Sequence, residues 1–237
     1  MRALLLAAGL GTRLQPLTNY LPKCLVPVHG RPLLDYWLEN LLNHGIEQIL
    51  INTHYMAPMV RQYLNQSTWL PYIKIVHEET LLGTGGTILK NRDFFKKETF
   101  LVAHADNLTI FDMQDFASQH ATRPAGTELT MMVFETPDPQ SCGIVSLDSQ
   151  LVVQTFHEKV ANPPGSLANG AVYIFEPSVA EWIADLGKLK VDLSNELIPH
   201  FLGRIYTYRN SAYHRDIGTL ASWSAANQDF PIMPALA

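Results

Sequence analysis

Ala3-Leu4-Leu5-Leu6-Ala7-Ala8-Gly9-Leu10-Gly11-Thr12-Arg13-Leu14 decides the fold. Ala3 to Ala7 is an unbroken apolar run, the mark of a strand buried on both faces. It opens directly into a Gly-rich turn. Glycines let backbone N–H groups approach an anion closely, and successive amides form a concave nest for phosphate. Arg13 adds a fixed positive charge that can fork onto phosphate oxygens. No Gly-Lys-Ser/Thr follows, so this is not a P-loop. Leu14 stands where the dinucleotide fingerprint needs its third glycine. Taken alone, a Gly-x-Gly turn reads equally well as a structural turn.

Working outward, the first half alternates strands and helices. Leu33 to Asn43 has helical spacing, with Leu34, Trp37, Leu38, Leu41 and Leu42 on one side. Gln48 to Thr53, Ile73 to Val76 and Thr99 to Ala103 read as strands. Ala57 to Asn65 reads as a helix that tolerates Pro58 in its first turn. Such alternation implies right-handed crossovers and a parallel sheet. The pattern changes near Gly126. Leu129 to Phe134, Gly143 to Leu147, Leu151 to Phe156 and Ala171 to Phe175 are closely spaced strand candidates. Ala180 to Leu186 and Leu220 to Asn227 read as helices. The architecture expected is a three-layer α/β domain over 1–237 with a mostly parallel sheet. Residues 1–125 form one half, and 126–237 carry a smaller lobe of mixed strands.

The chain has 237 residues, 47% hydrophobic and 16% charged, enough for a substantial core. Its formal net charge of −5 disfavours a sequence-independent nucleic-acid binder, which needs a basic surface. No apolar run reaches bilayer length, so no membrane partner is expected. The apolar start is short and interrupted by Gly9, Gly11 and Arg13, unlike a signal peptide. Cys24 and Cys142 are read as reduced, small hydrophobes, and the location as cytoplasmic. The oligomeric state is left open, a homo-oligomer included.

Ten residues past Arg13 comes Pro22-Lys23-Cys24-Leu25-Val26-Pro27-Val28, where Lys23 offers a compact charge to the same phosphates. Together with Leu6 to Leu14 and Pro16-Leu17-Thr18, this segment resembles the opening of the sugar-1-phosphate nucleotidylyltransferases. The resemblance continues through Leu82-Gly83-Thr84-Gly85-Gly86, Asp106, Glu158-Lys159, Asn169-Gly170, the segment Asp192 to Pro199, and Asp216-Ile217-Gly218-Thr219. These stand in family order over nearly the whole chain.

That resemblance implies a Rossmann-like nucleotidyltransferase fold and assigns the residues. Nucleotide contacts fall to Leu6, Ala8, Gly9, Gly11, Thr12, Arg13 and Lys23, then Glu79, Gly83, Thr84 and Gly85. Arg13, Lys23 and Asp106 are the catalytic set. Asp106 and Asp216 would hold Mg²⁺, the expected cofactor. Asn107, Gly143, Glu158, Lys159 and Asn169 would bind the acceptor. The substrates implied are an NTP and a sugar 1-phosphate, joined with release of pyrophosphate. GTP is favoured, as in mannose- and heptose-1-phosphate guanylyltransferases. The alternatives are an amino-sugar-phosphate uridylyltransferase, a cytidylyltransferase acting on phosphocholine or a similar acceptor, or a non-catalytic nucleotide-sugar sensor. The chain ends soon after Thr219, so no C-terminal β-helix domain is expected.

Three positions depart from the family pattern. His104-Ala105-Asp106 replaces the usual Gly-Asp, and Val160 replaces the Pro after Lys159. Arg215 replaces the Trp or Tyr before the final Asp, with Tyr213 nearby, and is expected to alter the acceptor end more than the metal. The nine histidines show no metal-ligand spacing and read as structural or surface, with His104 beside Asp106 the exception.

Overall fold

The structure, a computed structural model, describes residues 1–231; the last six residues of the expected domain lie outside it. The chain runs β1 (Arg2–Leu6), a hairpin of β2 (Pro27–Val28) and β3 (Arg31–Pro32), α1 (Leu33–Asn43), β4 (Gln48–Thr53) and α2 (Ala57–Asn65). There follow β5 (Ile73–His77), α3 (Gly83–Lys90), β6 (Phe100–His104), β7 (Asn107–Ile110) and α4 (Met113–Ala121). The second half has β8 (Leu129–Glu135), β9 (Gly143–Leu147), β10 (Val153–Glu158), β11 (Leu167–Phe175) and α5 (Pro177–Asp185). It closes with α6 (Ile198–His200), β12 (Ile205–Arg209), β13 (Tyr213–Asp216) and α7 (Leu220–Asp229).

The main sheet has the order β10-β9-β11-β6-β1-β4-β5, with β8 beside β11 and β12 beside β8. β1 lies parallel to β4 on one side and β6 on the other, so Leu6 stands level with Asn52 and His104. Side-chain alternation explains the unbroken apolar run. Leu5, Ile51 and Ala103 pack with Leu34, Trp37 and Leu38 of α1 and Val60 of α2. Leu4, Leu50 and Val102 pack on the opposite face with Ile88 of α3 and Val179 and Ile183 of α5. Both faces are covered, and each fully buried leucine contributes roughly 1.5–3 kcal/mol relative to exposure.

The expected helix 33–43 and strands 48–53 and 143–147 have the bounds read from sequence. The mixed strands of the second half extend the same sheet: β11 pairs antiparallel with β6. β11 begins at Leu167, ahead of the expected start, because Leu167 to Asn169 already pair with β8 before an irregularity between Asn169 and Tyr173. Ala171 there takes φ 52. β10 starts later than expected, since Leu151 sits in a left-handed turn, φ 62. The small β7–β13 pair was not foreseen. It sets Asp216 beside Asn107 and His214 beside Thr109.

Candidate active site

The topology fixes where a ligand can sit. After β1 the chain builds β4 and β5 to one side, then crosses to place β6 on the other. The strand order reverses between β1 and β6, and crevices form outside the carboxyl ends of strands at such points. The Gly-rich turn leaves β1 there, and Asp106 lies just past the end of β6. Ala105 N donates to Leu6 O at 3.0 Å, holding the two strand ends together.

The turn itself is shaped by Gly11, which takes φ 66; a Cβ there would stand 2.8 Å from Thr18 Cγ2. Thr18 Oγ1 donates to Gly11 O at 2.7 Å and fixes the loop. A Cβ on Gly9 would meet nothing within 4 Å, so this part of the turn faces open space. Thr12 and Arg13 follow on the exposed rim, while Ala8 is buried. Beneath the turn, Ala7 N donates to Asn52 Oδ1 at 2.8 Å.

At the centre is Lys23. Its Nζ donates to Asp106 Oδ2 at 2.5 Å and Asp216 Oδ1 at 3.1 Å, residues 83 and 193 positions away. Arg13 approaches Asp216 from outside, with Nη2 at 3.7 Å. Burial by itself lowers an ammonium's pKa, but the charges and hydrogen bonds of Asp106 and Asp216 outweigh it and hold Lys23 above its ordinary value. Burial likewise works to raise Asp106, and Lys23, then His104, hold that carboxyl below the usual range. Ile217 N donates to Asp106 O at 3.1 Å, joining the two aspartate loops. A Cβ on Gly218 would stand 2.6 Å from Asp216 Oδ2 and 3.1 Å from Arg13 Nη2, so a larger residue there would displace these side chains.

Two carboxylates converging on one cation are a donor set a hard divalent cation accepts, with phosphate oxygens completing its shell. Among the described residues no group of three or more His, Cys, Asp or Glu gathers around a common point. The Asp106–Asp216 pair therefore fits an ion that shares its ligands with a substrate.

Of the acceptor candidates, Gly143, Glu158, Lys159 and Asn169 lie on or beside β9, β10 and β11, and Asn107 begins β7. Glu158 and Lys159 pair with each other, Nζ to Oε1 at 3.1 Å, and Lys159 takes φ 50. A Cβ on Gly143 would stand 2.5 Å from the Phe156 ring and 2.6 Å from Glu158 Oε2, so Gly143 makes room for both side chains. Asn169 Nδ2 donates to Tyr173 Oη at 2.7 Å, while its Oδ1 accepts from Ala171 N at 2.9 Å. Asn107 Nδ2 donates to Gly170 O at 3.0 Å and so ties the β11 irregularity to the strand that follows Asp106.

The segment 82–87 also has a packing role. Val191 O accepts from Gly85 N at 2.9 Å and Gly86 N at 3.3 Å, and Thr84 Oγ1 accepts from Leu193 N at 2.8 Å. A Cβ on Gly83 or Gly85 would stand 2.6 Å from Val191 O or 2.8 Å from Val191 Cγ1. These small residues let the chain before α6 lie directly on α3. Of the two glutamates ahead of them, Glu79 is exposed and Glu78 is 1% exposed. Glu78 accepts from Thr87 Oγ1 at 2.6 Å, Asn52 Nδ2 at 3.0 Å and Leu82 N at 3.3 Å. Asn52 and Glu78 thus link the ends of β1 and β4 to α3. Sequence reasoning overlooked Asn52, although a polar residue at the end of an apolar strand was a usable signal.

Arg215 does not reach the acceptor end. Its Nη2 pairs with Asp229 Oδ2 at 2.5 Å and its Nε donates to Tyr213 Oη at 2.9 Å, which anchors β13 to α7. The expectation for Arg215 is corrected by strand alternation, which puts it on the face opposite Asp216.

A Gly-rich turn at the reversal of a parallel sheet, faced by two carboxylates, is an arrangement suited to a nucleotide-handling α/β domain. Residues 2–231 match the nucleotidyl transferase family, and the chain belongs to it. It is 32% identical over 222 residues to a mannose-1-phosphate guanylyltransferase of Mycobacterium tuberculosis, covering 92% of this chain and 61% of that protein. It is 31% identical over 215 residues to a UTP–glucose-1-phosphate uridylyltransferase of Synechocystis, covering 84% and 54%. The chain thus spans less than two thirds of either relative. A putative glucose-1-phosphate thymidylyltransferase from Bacillus anthracis, solved with sucrose, has the same fold (TM-score 0.86, 20% identity, 99% and 98% coverage). So does HddC from Yersinia pseudotuberculosis complexed with GMP-PN (TM-score 0.81, 24% identity, 97% and 99% coverage). Among the described residues no helix is long and apolar enough to cross a membrane.

Proposed function

We propose that this chain transfers the nucleoside monophosphate of an NTP to a sugar 1-phosphate, releasing pyrophosphate, with magnesium as cofactor and GTP as the preferred nucleotide. The observation that carries this reading is the convergence of Arg13, Lys23, Asp106 and Asp216 at the mouth of the Gly-rich turn.

The acceptor phosphate is already an anion at neutral pH, so the reaction needs no strong general base. The obstacle is repulsion: like charges about 4 Å apart repel by roughly 4 kcal/mol at an effective dielectric near 20. Catalysis becomes positioning plus electrostatic compensation. Arg13, on the open rim, binds the outer phosphates. Lys23, held rigidly below, meets the charge that develops at the α-phosphate. Asp106 and Asp216 would hold Mg²⁺, which when bound supplies positive charge against the phosphates. Lys159 grips the acceptor phosphate from the opposite wall, with Glu158 and Asn169 beside the sugar.

The base preference rests on Glu79. Guanine offers N1–H and an exocyclic amine, two donors, and Glu79 is an exposed carboxylate beside α3. Val76 to Gly86 contains no Gln whose amide would suit a pyrimidine edge. Hydrogen-bond readout discriminates because the wrong base leaves polar groups unpaired. The similar proteins named above act on different nucleotides, so the test is direct. The four NTPs are screened against hexose, amino-hexose and heptose 1-phosphates, with and without magnesium, by pyrophosphate release. GTP should give the highest kcat/KM, and chelation should abolish turnover. A clear lead for UTP overturns the base assignment; no turnover with any pair overturns the activity.

A further inference from the structure

We propose that Asn52 is a positioning residue for the nucleotide: its buried carboxamide ties the Gly-rich turn to the start of α3, so that one unit grips both triphosphate and base. The inference rests on the turn and Gly83 to Gly85 binding an NTP, as proposed above. It goes beyond that reading by assigning a role to a side chain too buried to touch a ligand, since Asn52 is 2% exposed.

The chain leaves the sheet at the peptide between Leu6 and Ala7, and this peptide is held from both sides. Its carbonyl, Leu6 O, accepts from Ala105 N at 3.0 Å, next to Asp106. Its amide, Ala7 N, donates to Asn52 Oδ1 at 2.8 Å. Asn52 stands level with Leu6 at the last pair of the β1–β4 ladder, so a side chain takes over where backbone pairing stops. It lies two residues after Leu50 and therefore points to the α3 face of the sheet. There its Nδ2 donates to Glu78 Oε1 at 3.0 Å and to Thr87 Oγ1 at 3.2 Å. Glu78 follows two residues after Val76, the partner of Asn52 on β5. Its second oxygen, Oε2, accepts from Leu82 N at 3.3 Å, just ahead of Gly83 with φ 74. One line of contacts thus runs from the root of the turn to the start of α3.

The link calls for an acceptor on one side and donors on the other. The Ala7 amide can only donate, and a carboxylate only accepts. A carboxamide meets both demands without adding charge. Glu78 takes its hydrogen bonds from Asn52, Thr87 and Leu82, with no cation among them. Loss of the Asn52 donor leaves a buried carboxylate and a backbone amide short of partners at once, at opposite ends of the nucleotide site. An NTP must span those ends, with its phosphates in the turn and its base beside α3. Ends fixed relative to each other before binding need not be ordered by the ligand. The seating of the base then also sets where the α-phosphate lies, so a wrong base is penalised at the phosphate end too.

Asn52→Ala removes the link and leaves Arg13, Lys23, Asp106 and Lys159 in place. With the NTP and acceptor that work best for the native enzyme, it should raise the NTP KM about tenfold and keep the acceptor KM within about twofold. The kcat/KM gap between the best and next-best NTP should narrow about threefold, which structural damage alone would not cause. Asn52→Asp sets two carboxylates against each other. Adding Glu78→Gln to it restores one donor–acceptor link with the amide on the other side, and should return the NTP KM to within about threefold of native. Unchanged NTP KM and NTP preference in folded Asn52→Ala overturn the proposal, as does a folded double variant no better than Asn52→Ala. Should the variants fail to fold, hydrogen exchange of the native protein decides. Inorganic triphosphate with magnesium carries no base, yet it should slow exchange of the Leu82 amide as well as the Ala7 amide. Slowing confined to the Gly-rich turn overturns the proposal. Failure of the underlying reading would look different, since the native protein would then show no calorimetric binding of any NTP with magnesium.

Discussion

Lys23 and Lys159, the two lysines given roles in the proposed reaction, are held in opposite ways. The Lys23 side chain is 10% exposed and clasped by two carboxylates that the fold brings from distant parts of the chain. The Lys159 side chain is 59% exposed and pairs with its own neighbour, Glu158, on a left-handed backbone. An exposed pair of that kind contributes about 0–1 kcal/mol and rearranges readily. The proposed phosphate end is therefore built in advance of any ligand, while the proposed acceptor end is free to be reorganised by one. Changes on the first side should appear in kcat, and changes on the second in acceptor KM.

The comparison is broken most directly at the centre. Asp106→Asn keeps the shape of the side chain and removes the charge that Lys23 answers. Turnover should fall about a hundred- to a thousand-fold, the scale seen when one preorganised electrostatic group is lost. Lys23→Ala should fall by about a hundredfold in kcat, with NTP KM changed far less, because its contact strengthens in the transition state. The checks are steady-state kinetics at saturating magnesium and circular dichroism to verify folding. Near-native turnover in Asp106→Asn, or a Lys23→Ala defect confined to KM, would mean the buried cluster is not the catalytic centre.

On the opposite wall, Lys159→Ala should raise acceptor KM about tenfold, with kcat and NTP KM within about twofold, as expected for loss of uniform binding. Thermal stability should change little, since the Lys159 side chain is 59% exposed. An unaltered acceptor KM removes Lys159 from the site. A large loss of kcat instead would show that the two lysines belong to one rigid unit, and the contrast drawn above would fail.

How much of this was legible follows from the same contrast. The parallel core was readable because burial on both faces leaves a continuous apolar run, as at Ala3 to Ala7 and Ile49 to Ile51. The partners of Lys23 were readable as motif members, but the clasp itself was not, since only the folded sheet joins residues 83 and 193 positions apart. The β7–β13 pair was missed because Tyr213-His214-Arg215-Asp216 has no apolar alternation; its strand character comes from pairing with Asn107 to Ile110. That miss had consequences for function. Without the strand, His214 and Arg215 could not be assigned to opposite faces, and the change at Arg215 was expected to bear on the acceptor end. The glycines of α3 show the converse: a readable motif whose geometry also serves contact with Val191.

The smallest effect tests how far the rigidity of the phosphate end extends. Asp216 rides on β13, and β13 is anchored from behind by Arg215 and Tyr213, both of which reach Asp229 of α7. Tyr213 Oη donates to Asp229 Oδ1 at 2.8 Å, so one carboxylate holds two side chains of the strand. Asp229→Asn weakens both contacts without touching the crevice. Because the Arg215 pair is partly exposed, the cost in stability should be no more than about 1 kcal/mol. If Asp216 depends on this anchor for its position, kcat should drop about two- to threefold, and raising magnesium should recover part of it. If kcat is unchanged while the melting temperature falls slightly, the clasp of Lys23 alone suffices to place Asp216. The region that is built in advance would then end at β13 itself rather than at the helix behind it.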